Sequence, residues 1–397
     1  MHKPLARLIC RIILESMLTT AKPDTFEKLE ILSRDSQYDL TCACGTDKSG
    51  HRTRGNNGKW IYPVTLPNGG STILFKTLIS NVCSSDCKYC PLRQDADVSR
   101  CTLNCEETVR TFMDYYNRGE VFGLFLSSSV LGSADATMEK LIAPAEVLRK
   151  KYGFRGYIHL KVLPGSSPAA IEKAVSVANA VSLNIETPGK EFLKKLSNKK
   201  DFLKDIVEPM KLISRLTSQS CRRVKQTTQF IVGAASETDR QIVDYTAALY
   251  NRLNLSRVYF SAYQHPNPEV NIDSQQSFIR EHRLYQVDFL LRKYGFEQSD
   301  IVCDSLGLLS TEKDPKEVWA INHPECFPIS VNTATKYKLL RVPGLGPKAV
   351  ETILNKRKLA KINSIDDIDK VTKNLLKAVK YLDFGGITKN KRYLFNF

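Results

Sequence analysis

No run of apolar residues in the 397-residue chain approaches the ~18 that a membrane-spanning helix requires, which excludes a helical integral membrane protein. The N-terminal stretch 5–15 is apolar but interrupted by Arg7, Arg11 and Glu15. It therefore lacks the unbroken core of a secretory signal and reads as an amphipathic helix or a leader, with Met17 an alternative start. No repeat of solenoid length and no low-complexity tract is present. With 42% hydrophobic and 25% charged residues, the composition is globular rather than disordered or fibrous. The 11 cysteines are odd in number and widely spread, which argues against a small disulfide scaffold and for a reducing, cytoplasmic setting. Acidic residues are in the minority, 42 against 58 basic ones, and the formal charge of +16 favours an anionic partner.

Six β-rich runs alternate with longer helical patterns between residues 70 and 265: Thr72–Ile79, Val121–Ser127, Tyr157–Val162, Val181–Glu186, Thr228–Ala234 and Arg257–Tyr263. Several are nearly continuous in apolar residues, as strands covered on both faces are. Thr238 and Gln241 have capping-box spacing, followed by Ile242, Tyr245, Leu249 and Leu253 at helical intervals. Six βα units imply an α/β fold with a parallel sheet, either open and doubly wound or curled into part of a barrel, with function at the C-terminal strand ends. The expected organisation is an N-terminal extension (1–69), a βα core (70–270), a helical extension and linker (271–330) and a basic C-terminal module (331–397). Within the linker, the Pro-bearing stretch Asp314–Pro328 reads as the connecting segment.

Directly after the first of these strands stand Cys83, Cys87 and Cys90. Closely spaced thiolates on one loop can reach three irons of a cubane cluster and leave the fourth open to a ligand. The alternative, a zinc site, would want a fourth Cys or His at finger-like spacing, and none stands there. Cys42 with Cys44, and Cys101 with Cys105, complete no second set and read as ordinary or weakly metal-binding thiols.

The Cys-x3-Cys-x2-Cys spacing with Tyr89 before the last cysteine resembles the signature of the radical S-adenosylmethionine (SAM) superfamily. The resemblance implies a partial (βα)6 radical SAM barrel, a [4Fe–4S] cluster on Cys83, Cys87 and Cys90, and SAM cleaved reductively to methionine and a 5′-deoxyadenosyl radical, with an electron donor for the cluster. It implies Tyr89 near the adenine. The Gly-Gly-Glu-like segment of the family is replaced here by Ser127, Ser128 and Ser129, so hydroxyls and carbonyls would have to receive the SAM ammonium. Glu186 and Glu237, at later strand ends, are further cofactor-binding candidates. On the third strand His159 and Lys161 alternate with Ile158 and Leu160, which places both on one face; Lys161 could meet a carboxylate or phosphate there, or pair with Glu186. Stretches including Tyr38-Asp39, residues 124–128, 156–161, 227–234 and 257–261 are similar to one branch of the superfamily, the DNA modification or repair radical SAM proteins, often encoded beside a uracil-DNA-glycosylase-like protein.

From Val331 onward there are 15 Lys and Arg against 5 Asp and Glu, a net +10 in 67 residues. Two helical patterns there flank Gly344-Leu345-Gly346 and resemble a helix-hairpin-helix motif, which would make the C-terminal module a small all-α domain. Glycines would let the backbone approach a phosphate, and Lys348 in the first turn of the second helix would neutralise one. Nucleic acid, DNA foremost, is the expected partner; Phe395 and Phe397 are assigned no role. The leading expectation is thus a radical SAM iron–sulfur enzyme that modifies or repairs DNA. Radical chemistry on a peptide or metabolite with the tail as a DNA tether, or a non-catalytic iron–sulfur DNA-binding sensor, are the competing expectations.

Overall fold

The computed structural model describes residues 23–36, 60–65, 71–264, 274–370 and 372–385. The 5–15 stretch, Met17, Tyr38-Asp39, Cys42, Cys44, Phe395 and Phe397 lie outside the described residues. In chain order, helix α1 (Thr25–Asp35) precedes β1 (Ile61–Thr65) and β2 (Ser71–Leu78). The repeating part continues as α2 (Cys105–Asn117), β3 (Gly123–Ser127), α3 (Ala134–Lys150), β4 (Tyr157–Lys161), α4 (Pro168–Val177) and β5 (Ala180–Ser182). It ends with α5 (Lys190–Leu196), α6 (Glu208–Gln219), β6 (Lys225–Val232), α7 (Asp239–Leu253) and β7 (Arg257–Ala262).

All six expected strands form, and they pair in sequence order, each parallel to the next. That order decides between the two architectures left open by the sequence. A doubly wound sheet needs a point where strand order reverses; here none occurs, so successive right-handed units curl the sheet one way into a partial (βα)6 barrel. The strand that sequence patterning missed is β1, which adds antiparallel to β2 at the edge, with Ile61 opposite Phe75. Its Pro63 suits an edge position, where a ladder donor is not needed.

The two faces of the sheet differ. Outward-facing Phe75, Leu124, Leu126, Ile158, Leu160, Phe230 and Phe260 are buried under helices. Phe75 meets Phe112 of α2 edge-on at 6.1 Å, and Phe112 meets Phe154 at 5.2 Å. Burying each such side chain contributes roughly 1.5–3 kcal/mol. The inward positions alternate with these and are largely polar: Lys76, Ser127, His159, Lys161, Ser182, Thr227, Gln229 and Ser261, all buried. Strands covered by apolar layers on both sides are therefore found on one side only. Helix starts follow local chemistry: Thr238 and Gln241 form the expected capping box before α7, and Asn104 and Glu107 form another before α2.

Beyond the barrel come α8 (Ser274–Lys293), α9 (Pro315–Asn322), β8 (Ile329–Ser330), α10 (Lys336–Leu340), α11 (Pro347–Lys356), α12 (Lys373–Ala378) and β9 (Leu382–Asp383). The Asp314–Pro328 stretch, expected as linker, instead carries α9. Asp314 caps that helix, and its Trp319 is 4% exposed, packed edge-on to Phe296 and under the Arg341 guanidinium. Proline placed at the start of a helix favours it, because its missing N–H is one the helix does not use there. Residues 331–385 then close back on this platform. β8 pairs in parallel with β9, and Arg341 bonds both oxygens of Asp300 at 3.0 and 2.9 Å. Among the described residues no helix is long and apolar enough to cross a membrane.

Candidate functional site

The C-terminal ends of the strands converge on one open cavity, with about 1060 Å³ of empty space including its mouth. The loop after β2 places Cys83, Cys87 and Cys90 on the wall, and the ends of β3, β4, β6 and β7 add Ser127–Ser129, Lys161, Ile231 and Ser261. Asn184 and Glu186 follow β5. Parallel strands direct every C-terminus to this rim, which is why groups far apart in sequence meet here.

The cysteine loop is fixed from two sides. On one, Arg100 donates to the carbonyls of Asn81, Leu92, Arg93 and Ala96. On the other, the segment after α5 clasps it. The Ser197 hydroxyl and Asn198 N–H donate to the Asp86 carboxylate at 2.5 and 2.9 Å, Lys88 N–H donates to Leu196 O at 2.8 Å, and Lys199 Nζ reaches Ser84 O at 2.7 Å. Partial burial would raise the pKa of Asp86, but the hydrogen bonds from Ser197, Asn198 and neighbouring amides outweigh it and hold the carboxyl below its usual range.

The donor set fits a cluster held by three thiolates. Backbone N–H groups already point at two of the sulfurs, Ser85 to Cys83 and Leu92 to Cys90, each at 3.4 Å. Such bonds to cluster sulfurs are among the levers that tune iron–sulfur sites. Burial, opposed in part by the Leu92 N–H and reinforced by the neighbouring Cys87 and Cys83, pushes the Cys90 thiol up to about 12. A thiol becomes a good ligand only when the metal displaces its proton. Among the described residues no three His, Cys, Asp or Glu side chains are grouped closely enough to hold a single metal ion. A cubane makes a different demand, one thiolate for each of three irons.

Lys200 is the residue that sequence reading missed. It lines the same cavity, and although burial alone would discharge it, the adjacent Cys87 and Glu186 raise its pKa and keep the ammonium charged. Nothing in its local sequence signals this, since it sits in a Lys-rich loop that looks solvated. Asp35, from α1, is a second unforeseen wall residue; it accepts from Asn81 Nδ2 at 2.7 Å.

Of the expected cofactor residues, Tyr89, Ser127, Ser128, Ser129 and Glu186 all line the cavity. Tyr89 lies against Glu186, and burial together with that carboxylate raises its phenol well above the ordinary value. Glu186 has φ of +66°, a conformation that costs a non-glycine residue about 1–3 kcal/mol. Its N–H donates to Gln229 O at 3.0 Å, its carbonyl accepts from Ile231 at 2.9 Å, and the residue lines the cavity. Glu237 is not brought to the cavity. Its carboxylate is 97% buried and accepts the N–H groups of Gly233 and Ala235, which closes its own loop. Cys101 and Cys105 also lie apart from the cavity wall, and burial raises both thiols, Cys101 to about 11.

In the C-terminal hairpin the two glycines differ. Gly344 has φ of +86°, and a Cβ there would sit 2.0 Å from Asn374 O, so it serves the packing of the hairpin against α12. Gly346 has φ of −96°, and the nearest atom to a Cβ would be Tyr294 Oη at 3.7 Å. It precedes α11, whose first turn has no side-chain cap and carries exposed Lys348.

No family model matches the chain, and no curated protein matches it. Among solved structures, the chain is similar to the FeFe-hydrogenase maturase HydG from Carboxydothermus hydrogenoformans at 13% identity, covering 68% of this chain and 71% of that one with a TM-score of 0.45. It is similar to methylornithine synthase (PylB) at 15% identity, with 66% and 76% covered and a TM-score of 0.43. It is also similar to the radical S-adenosylmethionine methyltransferase TsrM from Kitasatospora setae at 17% identity, with a TM-score of 0.37 and 47% of this chain covered. The chain spans only 35% of TsrM's length and 48% of another HydG structure. The fold assignment stands on strand order and register, not on these likenesses.

Proposed function

We propose that the chain is a radical SAM enzyme holding a [4Fe–4S] cluster on Cys83, Cys87 and Cys90. The observation that carries the reading is that these three thiols share one cavity with Ser127–Ser129, Glu186 and Tyr89 at the C-terminal rim of a partial barrel. When bound, such a cluster supplies the electron for reductive cleavage of SAM, and a separate electron donor must reload it. The chain's own residues orient and shield the reactants. The carbonyls and hydroxyls of Ser127–Ser129 and the Glu186 carboxylate receive the SAM ammonium and hydroxyls, and Tyr89 packs beside the adenine. Anaerobic reconstitution of the native chain should give a cluster whose spectrum changes with SAM, and reduction should release 5′-deoxyadenosine and methionine. A Cys83→Ala, Cys87→Ala, Cys90→Ala variant should form no such cluster. A full iron load and unchanged SAM response in that variant would sink the assignment.

The finer reading is modification or repair of DNA, with residues 331–397 as a helix-hairpin-helix module and a uracil-DNA-glycosylase-like protein as a candidate partner in a reducing, cytoplasmic compartment. Its support is the net +10 of that region, the open Gly346 and exposed Lys348 beside the uncapped start of α11. Phosphate contacts release counterions, so affinity for duplex DNA should fall with salt by a log–log slope of about −0.9 per phosphate neutralised. Lys348→Ala should shallow that slope by about one phosphate and weaken different sequences alike. A salt-insensitive affinity would make the module a protein-contact element.

A further inference from the structure

The end of the barrel opposite the cavity, where the strands begin, carries charge that neither the fold nor the cavity explains. The turns 151–156, before β4, and 220–224, before β6, contain Lys151, Arg155, Arg222 and Arg223 and no Asp or Glu. Lys225 then opens β6, and all five of these residues are exposed. Carboxylates at the neighbouring helix ends are already taken: Asp114 and Glu120 pair with Arg118, and Glu146 pairs with Lys150 and Lys173. Among the described residues, Arg155, Arg222, Arg223 and Lys225 form no ion pair.

These cations are held close together. Asn179, just before β5, ties the two turns: its Oδ1 accepts from Ile158 N–H and from Arg149 at 2.8 and 2.7 Å, and its carbonyl accepts from Lys225 N–H at 3.0 Å. Arg149 also donates to the Phe154 and Gly156 carbonyls at 2.7 and 2.9 Å, so it is anchored without a carboxylate. Adjacent strands lie ~4.8 Å apart, which puts the starts of β4 and β6, with β5 between them, about 10 Å from each other. Burial, together with the nearby Arg222 and Arg155, lowers the Arg149 pKa below its ordinary value. Like charges crowded in this way repel, and a bound anion relieves the repulsion.

Aromatic rings stand open beside the cations. Tyr152, in the same turn as Arg155, is 46% exposed; Phe122, 50% exposed, stacks on Tyr157 at the start of β4 with centroids 6.3 Å apart. Guanidinium forks suit phosphate oxygens, and exposed rings suit the faces of unpaired bases. An acidic protein would use the cations and leave the rings without a role.

We propose that this base of the barrel, at Arg155, Arg222, Arg223 and Tyr152, holds a single-stranded stretch of nucleic acid by its phosphates and bases. Strand β4 alone has five residues, about 17 Å of chain, between this face and the rim. The nucleotides held here are therefore not the ones that enter the cavity, and the face retains the polymer rather than presenting it for reaction. The inference shares the nucleic-acid reading of the partner but needs neither the cluster nor Lys348.

Cys221, exposed and next to Arg222, reports on the face directly. The full-length protein is alkylated with N-ethylmaleimide, with and without a saturating single-stranded oligodeoxynucleotide, and modification of Cys221 is followed by mass spectrometry. The oligonucleotide should slow that modification severalfold. An Arg155→Gln, Arg222→Gln, Arg223→Gln variant should lose the protection, whereas Lys348→Ala should keep it. In anisotropy titrations the triple variant should shallow the log–log salt slope by about 2, at about 0.7 per phosphate of a single strand. Tyr152→Ser should weaken binding severalfold with the slope unchanged, the mark of a stacking contact. An unchanged Cys221 rate with the oligonucleotide bound overturns the inference and leaves the hairpin reading standing. Protection of Cys221 in a chain whose affinity ignores Lys348→Ala overturns the hairpin reading alone. Equal protection by polyglutamate at matched charge also overturns the inference, and makes this face a dock for an acidic protein.

Discussion

The cysteine loop and the C-terminal hairpin are of similar size, and each bears a compact motif, yet they are held in different ways. The loop is held at two ranges: Arg100, a few residues beyond it, on one side, and Ser197, Asn198 and Lys199, more than 100 positions along the chain, on the other. The hairpin is held from within the C-terminal region, with Val342 and Leu345 buried beneath it and α12, some 30 positions on, packed against Gly344. On the proposed reading, the first motif names the ligand atoms themselves, whereas in the second one glycine serves packing and the other stands open. Distant support makes a ligand set rigid before its ligand arrives, whereas local support makes a fold element that can carry an exposed face.

The sharpest way to break this contrast is at the two glycines. Gly344→Ala must place a methyl against the Asn374 carbonyl in a left-handed conformation, and the expected cost is roughly 3 kcal/mol. Gly346→Ala meets nothing closer than 3.7 Å and should be near neutral in stability. Thermal melting of the two variants, with limited proteolysis of the C-terminal region, compares them directly. Equal stability would mean that α12 is not what Gly344 serves. On the proposed nucleic-acid reading, any effect of Gly346→Ala should instead emerge in DNA affinity.

Arg100 tests the other half. Replacing it with Met leaves the carbonyls of Asn81, Leu92, Arg93 and Ala96 without their donor, at an expected cost of about 2 kcal/mol. Because the contacts hold the loop rather than the sulfurs, the variant should still take up iron. Its cluster should then be lost to a chelator severalfold faster than in the native chain. An unchanged rate of loss would show that the clasp from residues 196–199 suffices.

What was legible in the sequence follows the range of the interactions. Strand positions could be read because period-two patterning is local, and the order β2 to β7 settled the curl only once the pairing was known. Cys83, Cys87 and Cys90 were legible as a ligand set from their spacing and their place after a strand, whereas Tyr89 and Ser127–Ser129 were singled out only through the resemblance to a family; all of them line the cavity. Lys200 and Asp35 were not, because a charged residue in a loop or a surface helix looks solvated until a distant element covers it. Glu237 shows the converse: a carboxylate at a strand end looked like a ligand group, but two backbone N–H groups of its own turn claim it. The Asp314–Pro328 stretch was misread because its prolines suggest a linker, whereas Pro315 begins a helix whose Trp319 is core.

The smallest expected effect concerns Lys316, which lies under the hairpin and joins it to α9. Its Nζ donates to the carbonyls of Leu340 and Leu345 at 2.8 and 2.5 Å, and it lies 4.7 Å from the centre of the Tyr294 ring. Burial, opposed only in part by Asp314, pushes its pKa down from 10.5 to about 7. A neutral amine has two hydrogens, and two carbonyls are there to receive them. The unfolded chain binds a proton at this site more readily than the folded one between about 7 and 10.5, so stability should rise with pH across that interval. Below about 7 both states are protonated and the penalty is constant. Between pH 7 and 9 the gain should be about 1–2 kcal/mol, a few degrees in melting temperature. Lys316→Met removes the titration together with both hydrogen bonds. It should melt lower than the native chain, by a margin that widens from pH 7 to pH 9. Parallel melting curves for the two proteins over that interval would mean that the folded chain keeps Lys316 charged, with the hairpin carbonyls holding an ammonium rather than an amine.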